Sequence, residues 1–320
     1  MIFYLKVEDL KNVLIIGAPV FAKFIKEVLE EKGYNVYTCS ILPTLKFKQA
    51  LKAKILSMTN YVAGKFDVYH FLFSPTTKIF ESIILLLLKI RRRKVIIHWI
   101  GGDDYLIKKS RLRRYLTRIF WRFADVNLAV APWVASELRK FGVRTITLPA
   151  FSPIKIPQSI PKFPTRVTFL VYLPKHRWQL FNGDLIIEFA KRNPQYEFLI
   201  VGNDGSNMPQ FKNIKYLGQV SHKEMEKVYS NVTALLRITK RDGFPLMIVE
   251  SLIYARYVIF SRKMPYVYEA KTIQEMEDIA RELEKKRKPN IEGRTWILHL
   301  MKQTKENLIG LYNYLTKGSS

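Results

Sequence analysis

The feature that most constrains the fold is an interruption. Five prolines, Pro149, Pro153, Pro157, Pro161 and Pro164, crowd the segment that follows Leu148. Proline has no amide hydrogen to donate, so neither a helix nor a central strand runs through such a segment. On both sides of it, short apolar runs alternate with amphipathic stretches. Before it, strands are expected at 13–16, from 36, and at 68–73, 94–99 and 126–130, with a helix over 21–32 closed by Gly33. After it, strands at 167–172, 197–201 and 215–217 alternate with helices around 185–191 and 223–229, and 273–286 and 296–315 look helical. Such alternation predicts parallel sheets covered by helices.

The expectation is an α/β protein of two tandem Rossmann-like domains, residues 1–150 and 165–300, joined by a proline-rich linker at 151–164. With 320 residues and 48% hydrophobic content, the chain can bury two cores and is not disordered. Cys39 is the single cysteine, which excludes an intrachain disulfide and a cysteine-rich zinc site and suits a reducing cytoplasm. The opening MIFYLKVEDLKN carries acids early and does not read as a signal peptide. The apolar run at 83–88 falls far short of the roughly 20 residues a spanning helix needs, so no transmembrane segment is expected. The opening βαβ unit holds only Gly17 of a G-x-G-x-x-G pattern, so a dinucleotide fingerprint is not supported.

The densest chemistry lies at 235–261, where Asp242 and Glu250 stand in a loop and in the apolar helix that follows it. Pro245 is expected in the first turn of that helix. Asp242 then lies beside the helix N-terminus and Glu250 about a turn inside, with Arg237, Lys240 and Arg241 nearby. Two acceptors, several cations and outward-facing amides suit a phosphorylated, hydroxyl-rich ligand.

This segment, Asp242-Gly243-Phe244-Pro245-Leu246 followed by Glu250-Ser251, resembles the acidic loop and helix of GT-B glycosyltransferases of the family 4 kind. Their pattern is Glu-Gly-Phe-Gly-Leu, three variable residues, then Glu-Ala. The resemblance extends through PQYEFLIVGNDG and NIKYLGQVSHKEMEKVYSNVTALLR, and more loosely to RRRKVIIHWIGGDD and VNLAVAPWVASELRKFGV. The sequence departs from the pattern at Asp242, at Ala255 and Tyr257, where Gly and Pro are usual, and after Ser261, where a glycine-containing strand is shortened or missing. The resemblance implies a GT-B fold with two domains facing a cleft, and a last helix, 301–320, returning to the first domain. It implies transfer of a hexosyl group from a nucleotide diphosphate donor, with retained configuration, in glycan biosynthesis. Asp242 would bind the donor sugar and Glu250 the ribose, with Gly243, Phe244, Pro245 and Arg237 on the donor side.

Glycosyl transfer requires offsetting the charge that develops on the departing diphosphate. The chain contains no Asp-x-Asp, and Asp103 and Asp104 are adjacent, so no metal or other cofactor is expected. Lys175 and Arg177, after the first strand of the second half, would supply the cations by similarity. Gly202 and Asp204, after the strand at 197–201, would approach the nucleotide. In the first half, Gly17, Gly101 and Gly102 follow strand ends and would line the acceptor side. By resemblance His98 would face the donor sugar carbon and Asp103 the acceptor hydroxyl. His176, His222 and His299 have no acidic or cysteine partners at ligand spacing and read as structural.

The net charge of +26 is concentrated: residues 89–122 hold twelve basic side chains against Asp103 and Asp104, or +10 in 34 residues. An anionic partner follows. The helix expected over 108–123 carries Leu112, Tyr115, Leu116, Ile119, Phe120 and Phe123 on one face, with a core-facing role in view. Arg111, Arg114, Arg118 and Arg122 form a second stripe, with Trp121 on that side. Together with Arg91, Arg92, Arg93 and Lys94, this stripe suits an anionic membrane surface, where a lipid-linked or glycan acceptor would be met by a cytoplasmic, peripheral enzyme. Two other readings compete. One is a GT-B nucleotide-sugar epimerase, which has no need of the basic surface. The other is a non-enzymatic basic protein that binds nucleic acid, for which no helix-turn-helix or RNA-recognition signature is present.

Overall fold

A computed structural model describes residues 11–39, 64 and 66–317. The N-terminal stretch weighed above as a signal peptide lies, through residue 10, outside the described residues. The chain divides into two compact units, Met1–Pro153 with Lys302–Ser320, and Ile154–Met301.

The first unit is built on β1 (Asn12–Gly17), β2 (Asn35–Cys39), β3 (Val68–Leu72), β4 (Lys94–Trp99), β5 (Val126–Ala129) and β6 (Ile146–Thr147). They lie in the order β2-β1-β3-β4-β5-β6, all parallel. Val13, Ile15, Val68, Val95, Ile96 and Ile97 are wholly inaccessible, as a sheet covered on both faces requires. Its helices are α1 (Pro19–Glu30), α2 (Ile79–Ile90), α3 (Asp103–Lys109), α4 (Arg111–Phe120) and α5 (Pro132–Arg139).

The single helix expected over 108–123 is three pieces. Residues 108 and 109 close α3, and Ser110 Oγ accepts the Arg113 amide at 3.3 Å to cap a new helix, α4. A 3-10 turn, Trp121–Phe123, then ends the run. Serine competes well for backbone amides, which is why the break falls there. The expected burial is also corrected. Leu116 and Thr117 face inward, with Thr117 Oγ1 3.0 Å from Thr76 Oγ1, whereas Leu112, Tyr115 and Ile119 are exposed.

The second unit contains β7 (Thr168–Tyr172), β8 (Glu197–Val201), β9 (Ile214–Gly218), β10 (Ala234–Arg237), β11 (Tyr257–Phe260) and β12 (Tyr268–Glu269), in the order β12-β11-β10-β7-β8-β9. These pairs are also parallel. The strand thought shortened or missing after Ser261 is β12, only two residues long. The helices are α6 (Gly183–Arg192), α7 (His222–Ser230), α8 (Leu246–Ile253), α9 (Ile273–Lys286) and α10 (Ile291–Thr316). Ser221 with Glu224 and Thr272 with Glu275 form capping boxes that fix where α7 and α9 begin. Phe169 centres the core, with ring centroids 5.3 Å from Phe198 and 5.7 Å from Phe189.

The proline segment is held to the second unit by Arg256, a fully buried side chain. Its guanidinium donates to the carbonyls of Tyr229, Ser230, Pro161 and Lys162 at 2.7–3.3 Å. Residues of α10 from Lys302 onward pack in the first unit. There Tyr312 Oη lies 2.7 Å from His70 Nδ1, and Tyr34 donates to Asn313 Oδ1 at 2.8 Å. Among the described residues no helix is long and apolar enough to cross a membrane.

Candidate functional site

In doubly wound sheets the ligand crevice opens beyond the carboxyl ends of the strands where the strand order reverses. In the second unit that reversal lies between β7 and β10. Arg237 is the last residue of β10 and is buried, with its guanidinium 5.1 Å above the Phe181 ring centroid and 5.8 Å from that of Tyr172. Burying a guanidinium requires a counter-charge. Asp242 provides it: Arg237 Nε and Nη2 both donate to Asp242 Oδ2, at 2.7 and 2.6 Å, and the Gly243 amide donates to Oδ1 at 3.0 Å. The carboxylate is thereby fixed in place, with Oδ2 taken up by the guanidinium and Oδ1 by the loop amide.

The loop is anchored by the Lys240 amide on the Leu180 carbonyl, 2.9 Å, and by the Thr239 amide on Ser261 Oγ, 2.6 Å. Pro245 is the N-cap of α8, one position earlier than expected, and no side chain caps its first turn. Phe244 is buried. Glu250 lies in the middle of α8, and its Oε2 accepts a short hydrogen bond from the Tyr229 hydroxyl. Burial pushes the Glu250 carboxyl above its usual range, and the Tyr229 hydrogen bond opposes that rise. Tyr229 stands at the end of α7 with its ring 5.5 Å from that of Tyr254.

Beyond β7, Lys175 is exposed and pairs with Asp204 Oδ1 at 2.6 Å and Ser206 Oγ at 2.7 Å. That bridge joins the loops after β7 and β8, and with Ser206 it holds the Asp204 carboxyl well below the usual carboxylate range. Arg177 is exposed in the same short turn, Lys175–Arg177. Gly202 has φ +79, and a Cβ there would come 2.8 Å from Tyr172 Cε2, so the residue has no room for a side chain. Arg237, Asp242, Lys175, Arg177, Gly202 and Asp204 thus follow the carboxyl ends of β10, β7 and β8, which are hydrogen-bonded neighbours.

In the first unit the reversal lies between β1 and β3, where Gly17 has φ +118 and pairs with Leu72. Gly101 and Gly102 follow β4 at φ +106 and +89 and lead into α3. Asp103 is half-buried at the start of α3; burial raises its pKa to about 7, against the Ser74 amide and Lys78, which lower it. His98 is not at a strand-end mouth. It is 1% exposed, its Nε2 donates to the Leu148 carbonyl at 2.9 Å, and its ring stacks 5.5 Å from His70. Burial lowers its pKa to about 4, so it is a neutral imidazole packed in the first unit's core. The alternation of apolar side chains along β4 leaves the face of a strand-end histidine undetermined until the neighbouring strand is known, and the neighbour here brings a second histidine.

The basic residues separate as well. Arg111, Arg118 and Arg122 are exposed, Trp121 is half-buried with Arg122 5.4 Å over its ring, and Arg91 and Arg92 are exposed at the end of α2. Arg93 and Lys94 are half-buried, and Lys94 lies 3.9 Å from Asp125. Arg114 turns back to donate to the Lys108 carbonyl at 3.0 Å and leaves the stripe. Among the described residues, no group of three or more His, Cys, Asp or Glu side chains could hold a metal ion. The residues that sequence patterns did not reveal are Tyr172, Phe181 and Tyr229. Each is an aromatic whose partner lies on a different element, so spacing carries no signal for it.

No protein-family model matches the chain, and no curated protein matches its sequence. Solved structures do. Sucrose-phosphate synthase from Thermosynechococcus elongatus superposes with a TM-score of 0.76 at 12% identity, over 97% of this chain and 100% of that one. The lipopolysaccharide outer core galactosyltransferase WaaB, in its apo form, gives 0.67 at 13% identity, covering 94% and 99%. Anabaena HepE in complex with UDP and glucose gives 0.63 at 13% identity, covering 92% and 98%. Two parallel six-stranded sheets, each flanked by helices and each in its own unit, are the two-domain Rossmann-like architecture of these glycosyltransferases, and the fold of this chain is GT-B.

Proposed function

We propose that the protein is a nucleotide-sugar glycosyltransferase whose donor occupies the β7–β10 reversal of the second unit. The observation that carries the reading is the Arg237–Asp242 pair: a carboxylate fixed by a buried cation, at the mouth of an uncapped helix, beside exposed Lys175 and Arg177. A carboxylate held in place beside the strand end suits sugar hydroxyls, and Glu250, steadied by Tyr229, suits the ribose. Lys175 exchanges Asp204 for a donor phosphate, and with Arg177 and the first amides of α8 it offsets charge on the leaving diphosphate, without a metal. The two acids then bind rather than transfer protons, consistent with retention of configuration. Asp103, with its pKa near 7, is suited to meet an acceptor hydroxyl. The acceptor we infer is lipid-linked or glycan and met at an anionic membrane face; the exposed Arg111, Arg118 and Arg122 support this.

The test is thermal unfolding with UDP, GDP, ADP and dTDP and their sugars. UDP comes first because it is the nucleotide in the HepE complexes. A ligand at 100 times its Kd adds about 2.7 kcal/mol to native stability. Asp242→Asn is expected to keep the response to the bare nucleotide and to lose sugar transfer. If no nucleoside diphosphate raises the unfolding temperature, or if Asp242→Asn transfers sugar at the wild-type rate, the reading fails.

A further inference from the structure

Helix α2 is apolar on its outside as well as its inside. Ile84, Leu85 and Leu88 are buried, while Ile79, Ile83, Leu86 and Ile90 are 37–68% exposed. The exposed four recur at spacings of four, three and four, and at 100° per residue they fall within an arc of about 60°. A surface helix ordinarily turns polar side chains to solvent on that face. Its neighbour α4 repeats the feature: Leu112, Tyr115 and Ile119 are 37–64% exposed along one stripe. Arg111, Arg118 and Arg122 flank that stripe, and Arg91 and Arg92 stand exposed where α2 ends. Lys89 and Lys94 are drawn to Asp125.

We propose that the outer faces of α2 and α4 form one membrane-insertion surface, whose aliphatic side chains enter the acyl boundary of an anionic bilayer while the arginines engage its headgroups. This deepens the membrane-facing part of the proposed function and rests on it. Charge and apolarity together select the occupant. A second copy of this chain, docked by a twofold axis, would bring the same arginines against each other. A nucleic acid satisfies arginines but offers an isoleucine stripe little to bury against. An anionic bilayer satisfies both, with electrostatic capture followed by burial of apolar area. Salt weakens the first component and not the second.

The full-length protein is sedimented with phosphatidylglycerol–phosphatidylcholine vesicles and with pure phosphatidylcholine vesicles, at low and high salt. Wild type is expected to bind the anionic vesicles and to keep a fraction bound at high salt. Ile83→Ser with Leu86→Ser should retain low-salt capture and lose that salt-resistant fraction by about tenfold or more. Arg111→Gln, Arg118→Gln and Arg122→Gln together should abolish low-salt capture. A Leu86→Trp reporter should shift to the blue and be quenched by bromine-labelled acyl chains only when anionic vesicles are added. The proposal is overturned if wild type does not sediment with anionic vesicles, or if the serine variant resists salt as wild type does. It is also overturned if the reporter is already shielded without vesicles, which would assign the stripe to a protein cover. The nucleotide-induced rise in unfolding temperature is read on the same samples. Its survival when vesicle binding fails refutes the membrane surface alone, and its absence refutes the donor site.

Discussion

The two units wind their sheets about a reversal point, yet they furnish it with opposite chemistry. At the β7–β10 reversal the second unit gathers a buried arginine, two carboxylates and the exposed Lys175 and Arg177, with Arg237 tied to Asp242, Glu250 to Tyr229 and Lys175 to Asp204. At the β1–β3 reversal the first unit offers a glycine turn at Gly17, and its interior holds two stacked imidazoles kept neutral by burial. Its exposed apolar and basic side chains lie outside, on the outer faces of α2 and α4. The contrast teaches that one architecture can gather charged side chains where loops converge, and keep a buried, charge-averse core where they do not.

The largest expected effect tests the first unit. The His98 pKa is depressed in the folded state, from 6.5 to about 4, so its contribution to stability is complete above pH 6.5 and is lost as pH falls toward 4. A shift of that size corresponds to about 3 kcal/mol. Asp103, raised to about 7, acts in the opposite sense over the same range, so the comparison must be made between variants. His98→Gln should be destabilised at pH 7.5, and its deficit relative to wild type should shrink by about that amount by pH 4. Urea unfolding across that range measures it, and a constant deficit would show that His98 is not desolvated.

The second effect belongs to the second unit. A carboxylate accepting ribose hydroxyls contributes roughly 1.5–3 kcal/mol, so Glu250→Ala should reduce donor use by about 10- to 150-fold, while the orphaned Tyr229 hydroxyl costs about 1–3 kcal/mol of stability without unfolding the chain. Steady-state kinetics with varied donor checks this; wild-type kcat/KM in the variant would return Glu250 to a structural role. The smallest effect sharpens the comparison at the packing level. Ala255 adopts φ +55, a left-handed conformation that costs a residue with a Cβ about 1–2 kcal/mol. Ala255→Gly relieves that strain and loses part of the gain to a looser unfolded chain, for a net stabilisation of about 0.5 kcal/mol, readable as a small rise in unfolding temperature.

Strand positions such as β4 and β8, and the placement of Asp242 in a loop and Glu250 in the helix after it, were legible because they rest on local properties: apolar runs, capping residues and a loop that opens a helix. The break at Ser110 was also written locally, but the hydrophobic periodicity across it runs on in phase and conceals it. What spacing could not convey was the partner of each side chain. The pairing of β3 with β4 stacks His70 on His98, the reversal between β7 and β10 brings Phe181 and Tyr172 beneath Arg237, and Tyr229 meets Glu250 across two helices. The outward face of α2 is hidden in the sequence for a related reason. A helix apolar all round does not reveal from its sequence which side the sheet will cover.

The path of α10 has a consequence for how the protein is made. Residues 154–301 form a contiguous unit that can close once they have left the ribosome, whereas the first unit draws Tyr312, Asn313 and Thr316 from the far end of the chain. The half synthesised first is therefore the half completed last. Until translation passes residue 316, His70 lacks its Tyr312 partner and the nascent first unit waits with an open seam, the interval in which chaperone protection matters most.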